Sequence, residues 1–146
     1  MTTTGLDLFD RAVHQGNEWL KDMMYEMTWD DRHRAYLALR SVLQALRNRL
    51  TVDESAHLSA QLPMIVRVFY YEGWKPSKTP EKIRSRDEFM QKVIERFDGN
   101  AVDIDPEDTV RAVFKLLAHR ISQGEIEDVR SILPEEISDL WPHPVP

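Results

Sequence analysis

Side chains capable of acid–base or nucleophilic chemistry occur along the sequence, but their spacing matches no catalytic motif. The carboxylate pair Glu135 and Glu136 follows Pro134, where acids complement the positive end of a helix. The serines have no Gly-x-Ser-x-Gly context, and the 5 glycines are too dispersed to form a phosphate-binding loop. We therefore predict a non-enzymatic protein without a catalytic site or a cofactor.

The histidines offer one candidate metal site. His33 and His57 fall in successive predicted helices, and Asp53 or Glu54 would add a carboxylate to their imidazoles. No His-Glu-x-x-His or comparable ligand spacing is present. Histidines on helix faces explain the pattern more simply, so we predict no metal site.

A basic segment is the best candidate for a binding surface. This basic strip comprises Lys75, Lys78, Lys82, Arg84 and Arg86. Tyr71 and Trp74 precede it as candidate anchors, and cations beside aromatic rings are typical of single-stranded nucleic-acid binding and of protein docking. A solvated linker is the alternative interpretation. Because the chain is acidic overall and has no nucleic-acid-binding motif, we favour docking on an acidic protein surface over nucleic acid.

The composition bounds the class of protein. The chain has 146 residues, of which 42% are hydrophobic and 30% charged, and it has no cysteine, which is typical of one globular domain in a reducing compartment. No secretory signal or membrane-length apolar run is apparent, so we expect a cytoplasmic protein. The net charge of −6 is uneven, because residues 75–86 carry +4 and residues 98–146 carry −7. Opposite charges of this kind favour association with a protein partner or as a homo-oligomer.

Apolar residues recur every three or four positions along nearly the whole chain, which is typical of helices. Thr51–Glu54 and Ser122–Glu125 have the pattern of a capping box, in which a hydroxyl and a carboxylate cap each other's backbone nitrogens. Gly73 suits the left-handed residue that follows a helix. Gly16 is expected to bend or break the first helix.

An internal repeat relates the two halves of the sequence at a shift of 71 residues without a gap. The matched pairs include Arg40 with Arg111, Arg49 with Arg120, Glu54 with Glu125, and Leu62–Pro63 with Leu133–Pro134. We therefore predict an all-α, single-domain helical bundle built from two tandem multi-helix repeats, with about seven to eight helices. The first repeat spans about 6–74, the basic linker 75–86, and the second repeat about 87–142.

The repeated arginines have two interpretations. Arg40 and Arg111 could hold an anion or a partner's carboxylates together, since a guanidinium binds a carboxylate through two hydrogen bonds. We favour the other interpretation, in which each repeated arginine ties its helix to an acid or a carbonyl within its own half. If Arg40 and Arg111 pointed inward, they would instead indicate a small-ligand pocket between the repeats.

Three segments of the chain together resemble the bacterial uncharacterised family known as domain of unknown function 2267. They are "GNEWLKDMM", "DDRHRAYLALRSVLQALRNRLTVDESAHLSAQLPMIVRVFYYEGWKP" and "GEIEDVRSILPEEISDLWP". The resemblance runs from about Leu6 to Pro142. It implies a small all-helical protein, and it implies no established activity or catalytic residues.

The sequence therefore predicts a module for protein interaction or self-association that docks through the basic strip. The alternatives are a nucleic-acid-associated protein that uses the same strip, and a small-ligand sensor with a pocket between the repeats.

Overall fold

The three- and four-residue spacing of apolar side chains produces eight α-helices and one 3-10 turn in the part of the chain that the computed structural model describes, residues 4–97, 99 and 103–143. The helices are α1 (Asp7–Met27), α2 (Arg32–Arg49), α3 (Val52–Ala60), α4 (Met64–Tyr71), α5 (Arg86–Glu95), α6 (Pro106–Arg120), α7 (Gln123–Ile132) and α8 (Glu135–Ser138), with the 3-10 turn at Pro76–Lys78. The prediction of an all-α bundle with about seven to eight helices is confirmed. Among the described residues, every helix is too short or too polar to cross a membrane.

The helix starts only partly match the predicted caps. Thr51 and Ser122 each accept a hydrogen bond from the backbone nitrogen three residues later, as a capping hydroxyl should. Neither residue's backbone nitrogen donates the return bond to the carboxylate three residues later, so the prediction of two capping boxes is half wrong. The full capping box forms instead at the start of α5, between Ser85 and Glu88.

Gly16 serves helix packing rather than bending. α1 continues through it without a break, contrary to the prediction. A Cβ at Gly16 would lie 3.3 Å from Ile65 Cγ2, so the missing side chain lets α1 approach α4 closely. Trp19, one turn later in α1, shares a surface cavity with Leu62 and Pro63. The contact between α1 and α4 thus extends to the segment that precedes α4.

The core is organised around α2, which packs against α1, α4, α5 and α6. Its side chains Leu39, Val42 and Leu43 have no solvent exposure. The aromatic residues Tyr70 and Trp141, which the repeat matches to each other, are also buried. One face of the apolar run before the basic strip, which includes Val66, Phe69 and Tyr70, therefore belongs to the core.

Arg47 joins α2 to the end of α4 from inside this core. It is 1% exposed, and its Nη1 donates hydrogen bonds to the carbonyl oxygens of Tyr70 and Glu72 at 2.8 and 2.9 Å. Its Nε donates to Asn48 Oδ1 at 2.9 Å. Burial, followed by the nearby charge of Arg96, lowers the pKa of Arg47 to about 10. The guanidinium thus satisfies the last carbonyls of α4, which have no partner within the helix.

Several of the helix contacts correspond in pairs, although α2–α4 and α6–α7 have no counterpart of similar extent. The contact α1–α2 corresponds to α5–α6, α1–α4 to α5–α8, and α1–α6 to α2–α5, while α2 meets α6 and α3 meets α7 directly. Pro63 and Pro134 precede α4 and α8, in the register that a shift of 71 residues requires. Two similarly folded halves would produce such pairs, and the internal repeat itself stays a prediction.

Candidate functional site

The basic strip is held in an ordered conformation against the end of α2. The backbone nitrogen of Glu81 donates to the Asn48 carbonyl oxygen at 2.7 Å, and Arg49 Nε donates to the Ile83 carbonyl oxygen at 2.6 Å. Ile83 is 4% exposed, so it anchors the segment in the core. The strip is therefore a fixed surface of the bundle rather than a loose linker.

Four of the five strip cations face solvent. Lys75, Lys78, Lys82 and Arg84 are exposed, and none of them forms an ion pair with another described residue. Arg86 differs, because it is half-buried and its Nη1 lies 3.2 Å from Glu107 Oε1. Four cations of the strip are therefore exposed to a binding partner, whereas the fifth, Arg86, pairs with Glu107 of the same molecule.

The two candidate anchors face each other more than they face solvent. Tyr71 and Trp74 are half-buried, with ring centroids 5.3 Å apart. The Tyr71 hydroxyl donates to Ser59 Oγ at 2.6 Å, which fixes the ring against α3. Docking at the strip would therefore depend mainly on its cations.

An acidic surface adjoins the end of the basic strip. It consists of exposed residues on and after α7 and α8, namely Glu127, Asp128, Glu135, Glu136 and Asp139. Glu136 Oε1 accepts a hydrogen bond from the backbone nitrogen of Arg86 at 3.3 Å. One residue of the acidic surface thus contacts the end of the basic strip.

The repeated arginines each have a structural partner. Arg40 Nη2 donates to the Arg96 carbonyl oxygen at 3.2 Å, and its guanidinium lies 5.4 Å from the ring centroid of Tyr36. Arg111 Nε pairs with Glu107 Oε2 at 3.1 Å. They line two different surface cavities, of about 400 and 280 Å³, that share no residue. The structure does not bring Arg40 and Arg111 together, and a shared anion site stays a prediction.

Arg49 and Arg120 bind partners outside their own halves, contrary to the interpretation favoured from the sequence. Arg49 binds the Ile83 carbonyl oxygen, and Arg120 Nε binds Asp22 Oδ2 at 2.7 Å. The hydrogen bond to Asp22 raises the pKa of Arg120. Each arginine ties the end of its helix to a neighbouring segment.

A group of exposed apolar side chains covers the start of α1 and one face of α4. Its members are Leu6, Leu8, Phe9, Val13, Met64 and Val68, and Val68 is 67% exposed. Contiguous apolar surface on a soluble protein often marks a protein contact. The sequence had indicated Leu6, Phe9 and Val13 only as parts of a helical stripe.

A pair of buried glutamates at the contact between α3 and α7 was missed by the sequence analysis. Glu54 is 6% and Glu125 is 8% exposed, and His57 Nδ1 lies 3.4 Å from Glu54 Oε2. One ligand atom from each of these three residues lies within 4.8 Å of the other two. Glu54 Oε1 and Glu125 Oε2 are buried, and no donor among the described residues reaches them.

The environment of this pair favours a protonated carboxyl. Burial, the neighbouring Glu54 carboxylate and the charge of Asp128 raise the pKa of Glu125 to about 7, while His57 opposes the shift. The sequence contained one indication of this contact, namely the predicted repeat, which matches Glu54 with Glu125. If matched helices meet at a two-fold axis, matched residues meet as well.

These features define an all-α protein whose two helical halves meet along the α2–α6 and α3–α7 contacts. The model of the family described as Uncharacterized conserved protein (DUF2267) matches residues 16–140, so the chain belongs to this family. The resemblance seen in the sequence is thereby confirmed. No curated protein matches the chain.

Proposed function

We propose that the protein is a non-enzymatic self-association module, in which the basic strip of one copy binds the acidic surface of a second copy. The proposal rests on two observations. Four exposed cations of the strip form no ion pair with another described residue, and the strip ends at Arg86 in contact with Glu136, one of five exposed carboxylates on and after α7 and α8. Complementary charges orient protein partners and fix their register.

A second copy suits this surface because the two charged regions are adjacent. A two-fold axis through their boundary, near Arg86 and Glu136, would place each basic strip on the partner's acidic surface. Both contacts would then form at once. A partner with acidic charge alone would satisfy only half of this arrangement.

The magnitude of these interactions predicts weak, salt-sensitive association. An exposed ion pair contributes about 0–1 kcal/mol. Eight such pairs over two contacts would give a dissociation constant of roughly micromolar strength at best. Because exposed charges are screened within about 8–10 Å at physiological salt, association should fall as salt rises.

Sedimentation velocity over a concentration series, at low and moderate salt, tests the proposal. Combined Lys75→Glu, Lys78→Glu and Lys82→Glu changes should make the protein monomeric without unfolding it. The matched control, Arg11→Glu with Lys21→Glu and Arg32→Glu, has the same charge change on exposed residues elsewhere. It should associate like the unmodified protein.

A charge exchange identifies the two surfaces directly. Combined Glu127→Lys, Glu135→Lys and Asp139→Lys changes on the acidic surface should also prevent self-association. An equimolar mixture of the two charge-reversed proteins should recover mixed dimers, because each now carries the complement of the other. A monomeric unmodified protein at low salt, or a mixture without dimers, would contradict the proposal.

Two other outcomes would replace it. Loss of association with Phe9→Ser and Val68→Ser, but not with the strip variant, would assign the contact to the apolar group on α1 and α4. Binding of single-stranded nucleic acid by the unmodified protein, lost in the strip variant and falling steeply with salt, would favour a nucleic-acid-associated protein.

A further inference from the structure

The contact between α3 and α7 brings two carboxylates together. The hydroxyls of Thr51 and Ser122 cap the two helices, and Glu54 and Glu125 follow three residues later in each. The predicted return bonds of these carboxylates are not made. The Ser122 backbone nitrogen donates instead to Gln61 Oε1 at 2.9 Å. Both carboxylates are thereby free to turn toward the contact.

Two buried carboxylates require compensation. Each is more than nine-tenths buried, and one oxygen of each has no donor among the described residues. An ionised carboxylate in such a place is costly unless a positive charge or a proton accompanies it. Glu54 Oε1 and Glu125 Oε2 therefore indicate that this contact holds a further group.

His57 completes a set of metal ligands. It lies one turn after Glu54 in α3, and its side chain is 71% exposed, so the imidazole has room to adjust. The ligand atoms of Glu54, His57 and Glu125 lie within 4.8 Å of one another. Ligands of a four-coordinate zinc ion, bound at about 2.0–2.2 Å, lie about 3.3 Å apart. Side-chain movements of about 1 Å would bring the three ligand atoms to the separation that zinc requires.

We propose that Glu54, His57 and Glu125 bind a divalent transition-metal ion of the zinc class between the two halves of the protein. An imidazole with two carboxylates suits zinc better than magnesium or calcium, which prefer oxygen ligands alone. The exposed side of His57 leaves a coordination position for water. The ion would neutralise both glutamates and join α3 to α7.

The ligand set corrects the candidate considered from the sequence. His33 lies outside it, Glu54 rather than Asp53 supplies the carboxylate, and Glu125 comes from the other half of the chain. Asp128 occupies the position that the repeat matches to His57, and it adds negative charge near Glu125.

Calorimetric titration of Zn²⁺ into protein without a polyhistidine tag, freed of metal with chelator, tests the proposal. We expect one ion per chain and a rise in Tm of about 10 °C at saturating zinc. His57→Ala removes an exposed ligand without disturbing the core, and Glu125→Gln leaves a side chain that can donate to Glu54. Each variant should bind zinc at least about tenfold more weakly and lose most of the Tm rise.

His14→Ala is the matched control, because His14 Nε2 lies 3.7 Å from Glu18 Oε1 on exposed α1 without a second carboxylate. It should bind zinc like the unmodified protein. Unmodified protein that binds no more zinc than Glu125→Gln would overturn the proposal and leave a shared proton as the compensating group. Equal loss in the His14 variant would also overturn it, since binding would then be unspecific.

Discussion

Glu125 links the stability of the fold to pH. In the folded protein its pKa is raised to about 7 from an ordinary value of 4.5 by burial and by Glu54. The folded chain therefore holds a proton between these values that the unfolded chain has released. Stability should fall as pH rises from about 4.5 to 7 and then stay constant with respect to this group.

Urea unfolding in the presence of chelator, at pH 5, 6, 7 and 8, measures this effect. The decrease should reach up to about 3 kcal/mol, and Glu125→Gln should remove it. Glu127→Gln, on the exposed side of the same helix, should keep the pH dependence of the unmodified protein. Parallel curves for the unmodified protein and Glu125→Gln would contradict the assignment.

Individual residues were predictable where local chemistry decides their role. Arg49 and Arg120 each bind an oxygen near the end of their helix, as predicted, but the Ile83 carbonyl and the Asp22 carboxylate lie outside their own halves. Arg47 was missed, because sequence periodicity cannot show which exposed-looking arginine will find carbonyl oxygens in the core. Glu54 and Glu125 were assigned to caps for the same reason, since their contact depends on how distant helices pack.

At the scale of helices, the close approach of α1 and α4 depends on Gly16. Gly16→Val would place methyl groups against Ile65 Cγ2 and Cβ, which lie only 3.3 and 3.4 Å from an added Cβ. We expect a loss of about 1–3 kcal/mol in the free energy of unfolding, measured by urea denaturation. In an Ile65→Ala background the loss should shrink, giving a measurable coupling energy between the two positions.

Gly124 in α7 is the matched control, because no atom lies within 4 Å of an added Cβ there. Gly124→Val should change stability by less than about 0.5 kcal/mol. If both glycine variants behaved alike, helix propensity rather than the α1–α4 contact would explain the role of Gly16.

Helix order and type were predicted well, whereas the details of helix starts were not. Apolar spacing and N-terminal proline positions are local signals, so α4, α6 and α8 begin within a residue of their prolines. Capping boxes need a carboxylate that has no better contact elsewhere. Glu88 meets this condition at α5, while Glu54 and Glu125 face each other across the α3–α7 contact.

At the scale of the whole molecule, neither half should fold alone. α2 of the first half packs against α5 and α6 of the second, and its side chains Leu43 and Leu46 have no exposure. A fragment of residues 1–74 would expose this face of α2 to water. A fragment of residues 75–146 would likewise expose the face of α6 that packs against α1 and α2. A buried face of this size must be covered for a small domain to be stable.

Equilibrium unfolding tests this dependence. The full chain should unfold in one transition, with helix signal and tryptophan fluorescence changing together. The fragments 1–74 and 75–146 should each lack a cooperative transition. Cooperative unfolding of either fragment by itself, or two separate transitions in the full chain, would show that the halves are independent units.

The bundle class could be predicted because periodicity and the absence of strand patterns decide it. The relation between the halves could be inferred only as an interpretation of weak matches such as Pro63 with Pro134. Which helices of the two halves meet is decided by packing across more than 60 residues of sequence, as between Gln61 and Ser122. No local pattern carries that information.

Because α3 and α7 belong to one polypeptide, separate codons specify the two sides of their contact. In a dimer of identical chains, a single mutation would change both sides at once. In this chain the matched positions 54 and 125 both hold glutamate, whereas the matched positions 57 and 128 hold histidine and aspartate. One gene can thus acquire, by independent substitutions, an asymmetry that identical subunits could not encode.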